Sequence, residues 1–279
     1  MFAIKNSLLE RDGAAVEQIT SPYKGGAFAK PPKIVVMHFT GGGSARSSAE
    51  WFRSPQNPGS SAHVVIDRDG SVVQCVPFNR VAWHAGKLQW HGLIGLNPYA
   101  IGVEMANWGS LKSAGGGWAC MTGALIPQPV IAAHRNGNPD GGHAPIGWEP
   151  YSPELFSSAI GVVQALIASL GINEIVGHDD IAPTRKWDPG PAFDMAKFRT
   201  ACLGGREDNG DNVVAVRSKG GLNLRTGPGV QFPSLELLKD GTLLRPSGSD
   251  GRWIEVSVLG PNKAPRATGW VHSGFVGEV

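Results

Sequence analysis

No part of this chain concentrates positive charge. Its 25 Lys and Arg stand against 23 Asp and Glu, a formal net charge of +2, and no basic cluster stands out. Nucleic acid is therefore a poor partner for it. Cysteine is scarce. Cys75, Cys120 and Cys202 form an odd, widely spaced set without metal-type spacing. They read as buried free thiols, not as a disulfide framework. No run of ~18 apolar residues is present, so no membrane insertion is expected. The start, MFAIKNSLLERDG, carries Glu10, Arg11 and Asp12 early and lacks a long apolar core. That argues against a secretory signal peptide. There is no HExxH motif and no tandem repeat.

What is present describes a globular chain with long loops. At 279 residues and 41% hydrophobic content, it fits one medium domain and one small one. Its 39 glycines are about double ordinary usage. Residues 1–33 are mixed and end in a Pro-Pro loop. Ile34 to Phe39 reads as a buried strand with His38 near its end. Ser47 to Phe52 opens a helix, with Ser47 or Ser48 as N-cap. His63 to Ile66 and Ser71 to Val76 read as strands joined by the turn Asp67–Gly70, and Tyr99 to Met105 as another strand, with Glu104 near its end. Residues 107–148 are Gly-rich and weakly periodic, a long loop carrying Trp108, Trp118, His134, His143 and Trp148. Its histidines read as solvent-exposed. Ser152 to Leu170 has helical apolar spacing, with a good start at Ser152-Pro153-Glu154 and a stop at Gly171. Ile172 to Val176 then returns to the sheet. The division expected is a domain over 1–204, a polar linker over 205–212, and a domain of short β segments over 213–279.

Three segments end apolar strands or follow one closely: Val36-Met37-His38, Val103-Glu104-Met105 and Val176-Gly177-His178. Strand ends of an α/β sheet form the crevice where ligands sit. Two His and one Asp suit a catalytic zinc, with the fourth position open. Residue types alone leave other readings open. Any one of the eight histidines can be structural. Asp188 sits in Asp-Pro-Gly-Pro, which is strong turn chemistry without a metal. Glu104 can be an ion-pair partner and Lys186 a solvated loop charge.

Five segments together carry a family resemblance: VVMHFTGGG (35–43), SAHVVIDRDGSVVQCVP (61–77), RVAWHAG (80–86), YAIGVEMAN (99–107) and IVGHDDIAPTRKWDPGPAFD (175–194). Over about residues 33–200 the chain resembles the zinc-type N-acetylmuramoyl-L-alanine amidases, whose fold is shared with phage endolysin amidases and animal peptidoglycan recognition proteins. The Gly-His and Arg-Lys-x-Asp-Pro-Gly segment is its most specific part. The resemblance implies an α/β fold with a central mixed β-sheet flanked by helices. It implies Zn2+ held by His38, His178 and Asp188. It implies Glu104 as the acid that helps activate water and Lys186 as the group that stabilises the oxyanion. Trp83 and His84 are implied to lie beside the substrate groove. Trp187 occupies the variable place between Lys186 and Asp188, where it either lines the groove or packs.

The tail, LNLRTGPGVQFPSLELLKDGTLL (222–244) with WIEVSV and TGWVHSGFV, resembles bacterial SH3-like domains, small all-β barrels read as cell-wall-binding modules. Trp253 and Trp270 read as its core, and Arg225 as internally paired. The implied reaction is hydrolysis of the amide between N-acetylmuramic acid and L-alanine, in bacterial peptidoglycan or muropeptides. The rival readings are a non-catalytic peptidoglycan-binding protein and a zinc peptidase cutting within the stem peptide. The implied place of action is the wall, in the periplasm or outside the cell, as for an endolysin; the alternative is cytoplasmic muropeptide recycling. The oligomeric state is not legible, and a monomer is the working expectation.

Overall fold

A computed structural model describes residues 1–86, 89–90, 93–203, 213–260 and 265–279. The chain splits into two compact units, Met1–Gly204 and Gly205–Val279. The expected linker over 205–212 lies outside the described residues.

The first unit is built on a six-stranded mixed sheet. Its strands are β1 (Glu17–Gln18), β2 (Ile34–Phe39), β3 (Val64–Ile66), β4 (Val72–Gln74), β5 (Ala100–Met105) and β6 (Glu174–Gly177), in spatial order β6-β2-β5-β3-β4-β1. Neighbouring strands run parallel except for β3 and β4, which form an antiparallel hairpin. Side chains alternate between the faces of a strand, and the faces differ here. Val35 and Met37 of β2, with Ile101, Val103 and Met105 of β5, pack on α2 (Pro153–Leu170) and, through Phe198 and Cys202, on α4 (Met195–Leu203). Ile34 and Val36 face the other way, into a smaller cluster with Ala85, Leu96, Ala100 and Val176. His38 and Glu104 share that second face. The helix α1 (Ala45–Arg53) covers Val65 and Val73 of the same face. The unit is thus α/β, with helices on both sides of a mixed sheet.

The helix α2 starts at the N-cap Ser152, whose hydroxyl accepts from the Leu155 N–H, and stops at Gly171 in a left-handed conformation (φ +64°). Its mean hydropathy of 1.4 over 18 residues would suffice, by length and composition, for a membrane span. The expectation of no such stretch is corrected to that extent. Within this fold α2 is a core helix, with Leu155, Ala159, Val162, Val163 and Leu166 fully buried.

Other differences have physical reasons. The cap of α1 is Ser44, not Ser47 or Ser48. The Ser44 hydroxyl accepts from the Ser47 N–H at 3.1 Å, and Ser47 returns the bond to the Ser44 N–H at 3.2 Å, closing a capping box. Residues 1–33 hold a three-stranded sheet (Phe2–Lys5, Leu8–Arg11, Ala14–Ala15) in addition to β1. The 107–148 stretch is folded into two antiparallel hairpins, Lys112–Ala114 with Gly117–Ala119 and Val130–Ala132 with Ile146–Trp148. Cys75, Cys120 and Cys202 are buried and free.

The second unit is a seven-stranded antiparallel sheet: β7 (Val214–Val216), β8 (Leu222–Arg225), β9 (Ser234–Leu238), β10 (Leu243–Asp250), β11 (Trp253–Leu259), β12 (Pro265–His272) and β13 (Val276–Glu278), in order β9-β8-β12-β11-β10-β7-β13. Its core is aliphatic, made by Val216, Leu222, Leu224, Leu238, Leu244, Val256, Val258 and Val271. Trp253 and Trp270 are half-buried rather than core residues. Arg225 donates to the Phe232 carbonyl at 2.8 Å, an internal bond as expected.

Candidate metal centre

Strand register assembles the site. Glu104 of β5 pairs with His38 of β2, and Gly177 of β6 pairs with Met37, so His178 follows β6 at the level of His38. His178 begins the short helix α3 (His178–Ile181). Asp188 arrives from the loop beyond α3, where the Asp179 N–H donates to the Asp188 carbonyl at 2.8 Å.

Three donor atoms converge. The Nδ1 atoms of His38 and His178 and Oδ2 of Asp188 lie 2.9 Å from one another on all three edges. The residues are 2%, 2% and 7% exposed. Hydrogen bonding alone does not account for this triangle. If both imidazoles donate to Asp188, two N–H groups face each other across the third edge. If one donates to the other, Asp188 loses one of its contacts. Three atoms each ~2.0–2.2 Å from one tetrahedral ion lie roughly 3.3–3.6 Å apart, so a set only a few tenths of an ångström tighter can open around a shared cation. It mixes imidazole nitrogen and carboxylate oxygen, which suits zinc. His178 Nε2 and Glu104 Oε2 are also buried without a hydrogen-bond partner among the described residues.

The electrostatics follow from burial. Burial lowers the His38 pKa to about 4, with His178 adding to the fall and Asp188 opposing it. Burial works to raise Asp188, but hydrogen bonds from His178 and His38 hold it well below the usual carboxylate range. Glu104 is pushed up to about 8 by burial and by Asp188, while Lys186 pulls it down. The Lys186 ammonium is half-buried and has no hydrogen-bond or ion-pair partner among the described residues.

The metal-site candidates open onto a cleft of about 640 Å³, lined also by Trp51, Trp83, Arg185 and Trp187. Trp83 is 40% exposed. Trp187 has both expected parts at once: it lines the cleft, and its indole N–H donates to the Gly137 carbonyl at 3.0 Å. His84 lines the cleft wall, yet its ring nitrogens face protein: Nδ1 lies 3.0 Å from His38 Nε2, and Nε2 lies 3.4 Å from the Ala100 carbonyl. Both ring nitrogens are thus engaged by protein groups.

His134 is buried and bonded to Asp179 at 3.0 Å, which corrects its reading as an exposed loop residue. Its partner is too distant in sequence for spacing to signal the pair. With Arg135 bridging Asp179 and Asp180, it ties the hairpin after residue 129 to the segment between the two C-terminal donors. Gly190 (φ +72°) is needed there, because a Cβ would meet the Trp187 carbonyl at 3.0 Å and the Trp148 ring at 3.1 Å. Tyr151 adds a hydroxyl bond to the Pro189 carbonyl at 2.9 Å. The acidic pair Asp179-Asp180, directly after Gly177-His178, is the visible trace of this anchoring in the sequence.

Comparison with known proteins gives a consistent set. A family model described as N-acetylmuramoyl-L-alanine amidase matches residues 28–191. The chain is 33% identical over 141 residues to 1,6-anhydro-N-acetylmuramyl-L-alanine amidase AmpD of Escherichia coli (strain K12), covering 50% of this chain and 56% of that protein. It is 31% identical over 137 residues to N-acetylmuramoyl-L-alanine amidase AmiD of the same strain, covering 48% and 39%. The chain therefore spans about half the length of these relatives. A solved structure of a selenomethionine AmpD derivative superposes with a TM-score of 0.47 at 25% identity, over 71% of this chain and 98% of that one.

Proposed function

Because the chain belongs to the N-acetylmuramoyl-L-alanine amidase family, we propose that it hydrolyses the amide between N-acetylmuramic acid and the L-alanine of the stem peptide, in peptidoglycan or muropeptides. The observation that carries this reading is the triangle of His38 Nδ1, His178 Nδ1 and Asp188 Oδ2 at the floor of a cleft that also receives Glu104 and Lys186. All five residues fall inside the matched span.

His38, His178 and Asp188 would hold Zn2+. When bound, the ion supplies Lewis acidity to an amide hydrolysis run near neutral pH. Glu104 takes a proton from the attacking water and gives it to the leaving amine as the C–N bond breaks. Its carboxylate form at neutral pH requires positive charge close by, and Lys186 supplies part of it. Lys186 then faces the negative charge that develops on the carbonyl oxygen. Trp83 and Trp187 present flat apolar surface to the substrate, with the edge of His84 between cleft and metal site.

The second unit is proposed as an SH3-like barrel that binds the wall. Short antiparallel strands around a small aliphatic core support this. So does an aromatic group of Trp253, His272 and Phe275, in which the Trp253 and Phe275 ring centroids lie 5.4 and 5.5 Å from that of His272. Such a module keeps the catalytic unit near the polymer by effective concentration. The reading is tested by zinc content and wall clearing: wild type is expected to hold one zinc per chain and clear cell walls, and Asp188→Ala to do neither. Wild-type protein without zinc and without lytic activity would overturn it.

A further inference from the structure

His84 belongs to the WHAG segment, and its backbone is fixed by Asn97, whose side-chain oxygen accepts from the His84 and Ala85 N–H groups at 3.1 and 2.8 Å. The ring passes over β5 at Gly102. A Cβ there would fall 2.4 Å from His84 Cγ and 2.8 Å from its Nδ1. Only glycine leaves room for the ring. In that place His84 Nε2 faces the Ala100 carbonyl, which can only accept, and His84 Nδ1 faces His38 Nε2.

The hydrogen-bond directions then propagate. A neutral His84 that donates from Nε2 to the carbonyl has a lone pair on Nδ1. That lone pair accepts from His38 Nε2–H. A neutral His38 protonated at Nε2 has its own lone pair on Nδ1, the atom that points at His178 and Asp188. We infer that His84 is a positioning residue, held by Gly102, that fixes the tautomer of His38 so that Nδ1 stays free to bind a metal ion. The inference rests on the metal reading of the three donors. It assigns His84 a role other than substrate contact, and it gives Gly102 a function. Partners that orient a metal-bound imidazole typically change metal affinity 10–100-fold when removed. His178 has no comparable partner on its Nε2 among the described residues, so the relay acts on one of the two imidazoles.

The test is zinc affinity of the full-length chain, by competition with a chromogenic chelator, for wild type, His84→Asn, His84→Leu and Gly102→Ala. Asn can place an oxygen near the position of Nδ1; Leu fills the space without an acceptor. His84→Leu and Gly102→Ala are expected to bind zinc 10–100-fold more weakly, and His84→Asn within about threefold of wild type. Combining Gly102→Ala with His84→Leu should add little, because both break one link. Equal affinity of His84→Leu and wild type would overturn the inference, as would His84→Asn binding as weakly as His84→Leu. Long-range proton–nitrogen NMR on metal-free wild type, where Asp188 and His84 compete for the His38 proton, decides independently of whether any variant folds. The His38 proton should sit on Nε2, and a proton on Nδ1 would overturn the relay. Wild type that takes up no zinc would instead overturn the metal reading, and the relay with it.

Discussion

Glu104 combines a raised pKa of about 8 with a place beside the proposed metal donors, and burial is the first cause of the rise. Its ordinary value is 4.5, so in metal-free protein the unfolded chain releases this proton at lower pH than the folded one. Stability from protonated Glu104 is therefore complete below about 4.5 and is lost as the pH climbs through about 8. His38 and His63, lowered to about 4, act with the opposite sign, but only below the ordinary histidine value of 6.5. The window between 6.5 and about 8 thus isolates Glu104. Metal-free wild type should show a falling melting temperature across it, and Glu104→Gln a flat one. Equal slopes would contradict the assignment. In zinc-loaded protein, Glu104→Gln should lower kcat by ~10²–10⁴. Lys186→Met should lower it by ~10²–10³ with zinc content unchanged. A variant that lost its zinc instead would move Lys186 from the oxyanion to the donor set. At this scale the sequence was legible wherever chemistry sits at a strand end, as for His38 and Glu104. Gly102 was not, because its role depends on the path of a ring from another segment.

Elements explain why these groups hold their places. The turn between β3 and β4 packs on the first turns of α2. There Gly70 has φ +79°, and a Cβ would lie 2.8 Å from the Glu154 carbonyl. That carbonyl belongs to the helix backbone and cannot swing aside. Gly70→Ala is therefore expected to cost about 1–3 kcal/mol in urea unfolding; a change within ~0.5 kcal/mol would show that the turn moves freely. The helix α2 was readable because eighteen residues repeat one apolar face between a Ser-Pro start and a Gly stop. The hairpins of 107–148 were not. Their strands are three residues long, too short for a two-residue alternation to stand out, and what fixes them is contact with distant segments such as Asp179. The N-terminal strands are hidden for the same reason: Phe2–Lys5 and Leu8–Arg11 run for only four residues each.

The whole molecule has two compact units with separate cores, and the donor triangle lies in the first. A ligand that binds only the folded state stabilises it by about 4 kcal/mol at a thousandfold excess over its Kd. Calorimetry of the full chain is expected to show two transitions, with a chelator lowering one and leaving the other in place. A shift of both, or of neither, would contradict a metal confined to the first unit. The most direct measurement of the central claim is mass analysis of a defined muropeptide after digestion, with and without a chelator. The account predicts release of the intact stem peptide with a free L-alanine amine, abolished by the chelator and restored by zinc. Cleavage within the stem peptide, or the same release in the chelator's presence, would contradict it.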